Sequence, residues 1–119
     1  MGNYRQLSVW KQAHGLVLEV YRSTRDFPAG ERYGLTAQLR RSAISIVSNI
    51  AEGSGRQSDR EQVRFLRIAR GSVCETECQL LVARDLGYLE IAIWKPLDDA
   101  CQELSRMLNG LVRSLNRPS

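Results

Sequence analysis

Apolar residues recur at helical spacing in four separate stretches of this chain. The clearest repeat lies in the last stretch, where six residues follow one another at intervals of four and three: Leu97, Cys101, Leu104, Leu108, Leu111 and Leu115. Such spacing places them along one side of a helix, as in the seam of a helical bundle. No stretch alternates apolar and polar residues with the period of two that is typical of a half-buried strand. The pattern therefore predicts an all-α protein.

The first two helices are bounded by residues that start or stop a helix. The first is expected to follow an N-cap at Ser8 and to end near Arg25, because Pro28 pushes the residue before it out of the α region. The second begins at Leu35 and closes at a Gly-Ser-Gly stretch, residues 53–55, where a glycine can adopt the left-handed conformation that ends many helices. Since the connection between the two helices is short, they are expected to lie antiparallel.

The third helix has a well-formed start signal and two apolar faces. Ser58 and Glu61 form a capping box, so the helix is expected to begin at Asp59 and to continue to Leu86. One apolar face comprises Val63, Leu66, Ala69, Val73 and Leu80, and the adjacent one comprises Phe65, Ile68, Thr76 and Ala83. Two apolar faces predict burial on two sides, which a lone bundle seldom provides, so the pattern favours an oligomer.

The start of the fourth helix stays open between two positions. The helix begins either near Pro96, since proline suits a first helical turn, or near Ile91, with the proline inside the helix. Four helices joined by short loops predict an antiparallel up-down-up-down four-helix bundle. At 119 residues the chain is expected to form one domain over residues 1–119.

Charge is distributed unevenly along the chain. The net charge is +4, and 15 of the 17 basic residues are arginines. Residues 35–70 hold seven arginines and three acidic residues, whereas residues 71–105 hold two basic and seven acidic residues. A basic segment can attract phosphate backbones. Beside an acidic segment it can equally steer copies of the same protein together.

Arginines cluster at the start of the third helix. Arg60, Arg64 and Arg67 lie on one side of it, which we call the arginine ridge, with Arg56 just before the helix and Arg70 at the edge of the ridge. A stripe of this kind can follow a phosphate backbone, which predicts a nucleic-acid-binding site at these five residues. The alternative is a solvated face whose charges are balanced by neighbouring acidic residues.

Two charged residues occupy otherwise apolar helix faces. Arg40 falls on the inner side of the second helix, and Glu77 falls on the main apolar face of the third. Burying either charge alone is costly, so the two are predicted to form a structural ion pair. A buried carboxylate can also act as a general acid, but acid chemistry needs a second group and a cleft, and neither is evident.

The remaining candidate chemistry is sparse. Cys74, Cys78 and Cys101 fall in predicted helices, and they are expected to be buried reduced thiols because the N-terminus shows no secretory signal. His14 is the only histidine, so a zinc site lacks ligands. No nucleophile with a base and no metal–carboxylate cluster is evident, so we expect neither an enzyme nor a cofactor. No apolar run approaches the ~18 residues of a membrane span, which predicts a cytoplasmic protein without a membrane partner.

Residues 10–115 resemble a known family. The most specific stretches are YGLT at 33–36, QLRRS at 38–42, SNIAEG at 48–53 and MLNGL at 107–111. In these the chain resembles the 23S ribosomal RNA intervening-sequence proteins, which form four-helix bundles. The branch encoded within intervening sequences of ribosomal RNA genes has no settled biochemical role.

The resemblance also implies an assembly and partners. Relatives with known assemblies close into five-fold rings or barrels, which implies that this chain forms a homo-oligomer, a homopentamer in particular. They include accessory proteins of diversity-generating retroelements, which bind a reverse transcriptase and nucleic acid through a basic surface. A reverse transcriptase is therefore a partner implied by the resemblance.

We therefore predict a non-enzymatic, homo-oligomeric four-helix bundle that binds RNA or DNA through arginines. The alternative is a protein-binding oligomeric scaffold with no direct nucleic-acid contact, in which basic and acidic segments meet at subunit interfaces. An RNA-processing enzyme is a third and weaker interpretation.

Overall fold

Four α-helices make up most of the chain in a computed structural model that describes residues 3–117. They are α1 (Ser8–Thr24), α2 (Leu35–Ser54), α3 (Asp59–Asp85) and α4 (Ile91–Leu115). Three-residue 3₁₀ turns at Tyr4–Gln6 and Ala29–Glu31 precede α1 and α2. Since no strand occurs within residues 3–117, the all-α prediction is confirmed.

The helices pack as the predicted antiparallel up-down-up-down bundle, which is 50 Å long. α1 contacts α2 and α4, and α3 contacts the same two helices. The turn between α2 and α3 lies at one end of the bundle, beside the start of α1 and the end of α4, and we call this the α2–α3 end. The opposite end, which we call the α3–α4 end, holds the two other connections.

One hydrophobic core runs through the bundle, and all four helices contribute to it. On α4 the predicted seam is buried over its first four positions, from Leu97 to Leu108. Leu111 and Leu115 are only half-buried, and Val112 is buried instead. An α-helix has 3.6 residues per turn rather than 3.5, so a strict seven-residue repeat drifts around the helix and leaves the core near its end.

The third helix is buried mainly on one side. All five residues of its main apolar face are buried, and so are Thr76 and Ala83 of the adjacent face. Phe65 is half-buried and Ile68 is 43% exposed. Within one subunit, the predicted second apolar face is therefore covered only in part.

Small residues allow α2 and α3 to pack closely. The hydroxyl oxygens of Ser42 and Thr76, both buried, lie 2.8 Å apart. Those of Ser45 and Ser72 also lie 2.8 Å apart. Near the end of α2, Gly53 is buried against α3. These hydroxyls satisfy one another, so the contact between α2 and α3 buries polar groups without leaving them unpaired.

Two predicted helix boundaries are wrong in detail. Ser8 is the first residue of α1 rather than its N-cap, and Leu7 caps the helix without a side-chain hydrogen bond. The glycine that follows α2, Gly55, has φ −87°, so no left-handed glycine ends this helix. The chain turns instead through the N–H groups of Gly55 and Arg56, which donate to the carbonyls of Glu52 and Gly53.

The left-handed glycine of residues 3–117 lies at the end of α3. Gly87 has φ +81°. Its N–H donates to the carbonyl of Arg84, and the N–H of Tyr88 donates to the carbonyl of Ala83, both at 2.9 Å. This pair of bonds is the Schellman motif, which satisfies the last carbonyls of a helix. It ends α3 one residue earlier than predicted.

The fourth helix begins at Ile91, the earlier of the two predicted positions. Pro96 therefore lies inside α4. Proline has no N–H, so the carbonyl of Ala92 lacks its usual donor four residues on. Ala92 is exposed, and water can take the place of that donor.

Candidate nucleic-acid interface

The arginine ridge lies on the exposed side of α3, at the α2–α3 end of the bundle. Ser58 fixes where the helix begins, because its hydroxyl oxygen accepts a hydrogen bond from the backbone N–H of Glu61 at 3.1 Å. The predicted start of α3 is thus confirmed. The carboxylate of Glu61 pairs with Arg64. All three ridge arginines fall in the first three turns of α3, and all three are exposed.

Phe65 holds two of the predicted arginines in place. The guanidinium carbons of Arg56 and Arg64 lie 4.7 and 4.6 Å from the centroid of its ring, within the range of cation–π attraction. Arg56 also pairs with Glu52 at 2.7 Å, and Arg64 pairs with Glu61 at 3.1 Å. Hydrogen bonding to Arg64 lowers the pKa of Glu61, and the same bond raises the pKa of Arg64. Both arginines are therefore oriented, and each is partly balanced by a carboxylate.

Arg60 and Arg67 are the two remaining arginines of the ridge, and their charges are not balanced by a carboxylate of the described residues. Within residues 3–117 neither Arg60 nor Arg67 has an acidic side chain within ion-pairing distance. Together with Arg64 they line an open groove of about 990 Å³, which continues onto Leu115 and Asn116 at the end of α4. A guanidinium without a carboxylate partner offers its full set of N–H donors to a phosphate.

Arg70 lies beside the ridge and contacts α4. Its Nη1 donates to Oδ1 of Asn109 at 2.6 Å, which links the two helices. Its side chain stays exposed. The structure thus brings Arg60, Arg64 and Arg67 together, places Arg56 next to them through a shared aromatic ring, and sets Arg70 at the α4 side.

Positive charge is concentrated at the α2–α3 end as a whole. When each helix is divided at its midpoint, this half of the bundle holds ten of the 17 basic residues and only four of the 13 acidic ones. Three of the ten, Arg106, Arg113 and Arg117, come from α4 and the residues after it. They are absent from the predicted site because they are distant from the ridge in sequence. The signal that could have found them is the antiparallel helix order, which brings the end of α4 beside the start of α3.

The predicted ion pair between Arg40 and Glu77 is wrong. Arg40 lies on the side of α2 that packs against α1, where its Nε donates to Oγ1 of Thr24 at 2.9 Å and its guanidinium carbon lies 4.5 Å from the ring centroid of Tyr21. Glu77 lies near Cys101 of α4, where burial first and the charge of Glu77 second raise the pKa of the thiol. The two residues belong to different helix contacts. Both are only half-buried, so neither requires a buried counterion.

Only one of the three cysteines is buried. Cys101 is 0% exposed, and burial raises the pKa of its thiol to about 12. Cys74 and Cys78 are exposed on α3, contrary to the expectation of three buried thiols. An exposed pair of thiols is an unusual use of cysteine, which is among the most buried residue types.

Neither a metal-binding cluster nor a membrane-spanning helix is found in the part of the chain that the structure describes. Residues 3–117 contain no group of three or more histidine, cysteine, aspartate or glutamate side chains placed to hold a metal ion. In the same part of the chain, none of the helices combines the length and the apolar character needed to cross a membrane.

Comparison with known proteins identifies the family. The sequence profile of the 23S rRNA-intervening sequence proteins matches residues 5–110, and the chain belongs to this family. Its fold is also that of a protein of unknown function from the S23 ribosomal protein family of Bacteroides thetaiotaomicron. The two share a TM-score of 0.80 over 88% of this chain and 98% of that one, at 20% sequence identity. No curated protein matches.

Proposed function

We propose that this protein is a non-enzymatic, homo-oligomeric bundle that binds the phosphate backbone of RNA or DNA through its α2–α3 end. The observation that carries the proposal is the exposed arginine ridge, in which Arg60 and Arg67 have no acidic partner within residues 3–117. Arginines in this state attract phosphates and release their condensed counterions on binding. The surplus of basic over acidic residues in the same half of the bundle strengthens this attraction.

The dimensions of the ridge suit a short run of phosphates. From Arg60 to Arg67 the helix rises about 10 Å, at 1.5 Å per residue. One strand of a duplex presents a phosphate every ~3.4 Å along the axis, so the ridge is long enough to contact about three of them. Contacts with phosphates position a protein without reading bases, so we expect binding to be nearly independent of sequence.

Self-association belongs to the proposal because one ridge is a small site. About three phosphate contacts support only weak binding at physiological salt. An oligomer presents the ridge once per subunit, and contacts made by linked sites reinforce one another. Ile68 and the exposed apolar residues farther along α3 supply surface for such an assembly.

A protein-binding scaffold is the second candidate, and the α3–α4 end favours it. Large apolar side chains are exposed there: Tyr33 at 84%, Ile91 at 70% and Leu86 at 55%. Exposed apolar clusters of this kind often mark contacts with other proteins. In this account the α3–α4 end binds a protein, and the arginines only keep the other end soluble.

Charge reversal on the ridge separates the two candidates. The test variant combines Arg60→Glu, Arg64→Glu and Arg67→Glu, and its affinity for labelled RNA and DNA is measured by fluorescence anisotropy. The matched control reverses three exposed arginines at the α3–α4 end, Arg22, Arg25 and Arg32, and so changes the net charge equally. Circular dichroism checks that both variants keep the helical fold.

We expect the ridge variant to lose affinity by at least about tenfold at low salt and the control to lose much less, because phosphates bind locally. Equal losses would show only a general effect of net charge. No binding by the unmodified protein would favour the scaffold.

A further inference from the structure

Three aromatic rings are stacked at the start of α1, on the same end of the bundle as the arginine ridge but on a different helix. Trp10 and His14 are four residues apart, so their side chains are neighbours on the helix surface. Their rings are nearly parallel, with centroids 4.8 Å apart and planes 9° apart. The ring of Tyr4 packs edge-on against Trp10 at a centroid distance of 5.3 Å. We call Tyr4, Trp10 and His14 the aromatic platform.

The outer ring of the platform is open to solvent. Trp10 is half-buried and packs against the hydrophobic core, whereas His14 is exposed. Among residues 3–117, Trp10 is the only aromatic residue whose ring stacks on His14. Stacking on Trp10 covers one face of the imidazole, so the other face can receive one more flat ring. The core gains little from an exposed histidine, so packing within the subunit does not explain this stack.

The platform lies among positive charges. Arg5 and Lys11 are both exposed, and they are two of the ten basic residues of the α2–α3 end. The guanidinium carbon of Arg5 lies 5.8 Å from the ring centroid of Tyr4. Within residues 3–117 neither Arg5 nor Lys11 has an acidic side chain within ion-pairing distance. Proteins bind single-stranded nucleic acids through this combination, in which positive charges contact the backbone and bases stack on aromatic rings.

We propose that the aromatic platform binds unpaired bases of the same nucleic acid whose phosphates contact the arginine ridge, with one base stacked on the outer face of His14. The substrate class is therefore single-stranded RNA or DNA. This inference rests on the proposed function, because it adds a second contact to the same ligand. Every base has a flat face, so the stacking contact is tolerant of sequence, as the phosphate contacts are.

The position of the platform favours a single strand over a duplex. Among the described helices, α1 and α3 each contact α2 and α4 but not each other, so they lie diagonally in a bundle that measures 21 by 20 Å across. A ligand that contacts both the ridge and the platform must bend across the α2–α3 end. A duplex has a persistence length of about 50 nm and is too stiff to do so. Its bases are also stacked on one another, so only the terminal ones present a free face.

Substitution of His14 tests the stacking contact. His14→Leu keeps an apolar side chain over Trp10 but removes the outer ring, whereas His14→Phe keeps a ring and removes the imidazole. Fluorescence anisotropy measures the affinity of each variant for labelled oligo(U), oligo(dT) and a DNA duplex of equal length. Tyr33→Leu is the matched control, because it removes a ring that is 84% exposed at the opposite end of the bundle. Circular dichroism checks that each variant keeps the helical fold.

At physiological salt we expect both single strands to bind more tightly than the duplex. His14→Leu is expected to lose about fivefold in affinity for the single strands, as for one base stack lost, and His14→Phe and Tyr33→Leu to retain it. The affinity for the duplex is expected to stay unchanged in all three variants. A loss confined to oligo(U) or to oligo(dT) would support the stacking contact for RNA or for DNA alone. Equal binding of single strands and duplex, or an unchanged affinity of His14→Leu for both single strands, would overturn the inference.

The salt dependence of binding separates this inference from the proposed function. Stacking releases few counterions, so His14→Leu is expected to lower the affinity for oligo(U) by the same factor at every salt concentration. The variant that reverses Arg60, Arg64 and Arg67 instead reduces the slope of log affinity against log salt. Duplex binding that depends on the ridge, together with an unaffected His14→Leu variant, would retain the proposed function and reject this inference. No binding of any of the three nucleic acids would reject both.

Discussion

Gly53 of α2 and Phe65 of α3 meet so closely that a methyl group on the glycine would lie 3.0 Å from Cβ of the phenylalanine. The carbonyl oxygen of Gln62 would lie 3.3 Å from the same methyl group, so the backbone of α3 is also in contact. This approach fixes the position of Phe65, over which two arginines of the candidate interface lie. The packing of α2 on α3 thus positions part of the binding surface.

The first prediction concerns this contact. Gly53→Ala forces the two helices apart and is expected to lower the free energy of unfolding by about 1–3 kcal/mol, as overpacking does. Gly15→Ala is the matched control, because nothing lies within 4 Å of a Cβ there and alanine favours the helix by up to about 1 kcal/mol. Urea denaturation measures both. A stabilised Gly53→Ala variant would show that the helices separate without cost.

The second prediction concerns Phe65 as a support for the arginines. Phe65→Leu keeps an apolar side chain but removes the ring on which Arg56 and Arg64 rest. Both arginines then lose a cation–π contact, and we expect the affinity for RNA to fall by about threefold. Fluorescence anisotropy measures the affinity for RNA, and a thermal melt shows whether the variant is still folded. An unchanged affinity with an intact fold would mean that the ring does not order the site.

The third prediction concerns Arg40, which binds Thr24 rather than the Glu77 expected from the sequence. Arg40→Ala and Thr24→Ala remove the two ends of one hydrogen bond, so their effects on stability are expected to be coupled, each costing about 1 kcal/mol. Arg40→Ala and Glu77→Ala are expected to be additive, because the two residues do not meet. A coupling between Arg40 and Glu77 larger than about 0.5 kcal/mol would restore the original pairing.

The fourth prediction concerns the three thiols. At pH 8, Ellman's reagent is expected to react quickly with Cys74 and Cys78 and slowly with Cys101, whose pKa is raised to about 12 by burial. A thiol with a raised pKa in the folded state contributes stability below its unfolded pKa. That contribution is lost as the pH rises from about 9 towards 12.

The Cys101→Ala variant provides the control, since it lacks this titration. Its stability relative to the unmodified protein is expected to improve above pH 9. Three equally reactive thiols in the native state would contradict the buried position of Cys101.

Much of the fold follows from local sequence signals. The spacing of the α4 leucines, the Ser58 cap and the short connections together predict four antiparallel helices, and these are what the structure shows. Gly55 and Gly87 each lie just beyond the last residue of a helix or its cap. Only Gly87 adopts a positive φ, because the choice depends on the hydrogen bonds that the following residues can make. Those hydrogen bonds cannot be predicted from the local sequence.

Contacts between helices were less predictable than the helices themselves. The periodicity correctly placed Arg40 on the inner side of α2, but it could not say whether that side meets α1 or α3. Thr24, its true partner, carries no charge and therefore gave no signal. In the same way, Arg113 joins the basic end through the order of the helices and not through any local motif. Pairing across a bundle depends on which faces meet, and this is decided by packing.

Phosphate binding by the α2–α3 end is tested most directly by a salt titration. The affinity of the protein for a short generic RNA and for a DNA duplex is measured by anisotropy across a decade of salt concentration. If Arg60, Arg64 and Arg67 each neutralise one phosphate, log affinity is expected to fall by roughly 2 to 3 for each bound protomer as log salt rises by one. The slope should be much smaller in the variant that reverses these three charges, which keeps Arg56 and Arg70. Binding that does not depend on salt, or no binding at low salt, would contradict the account.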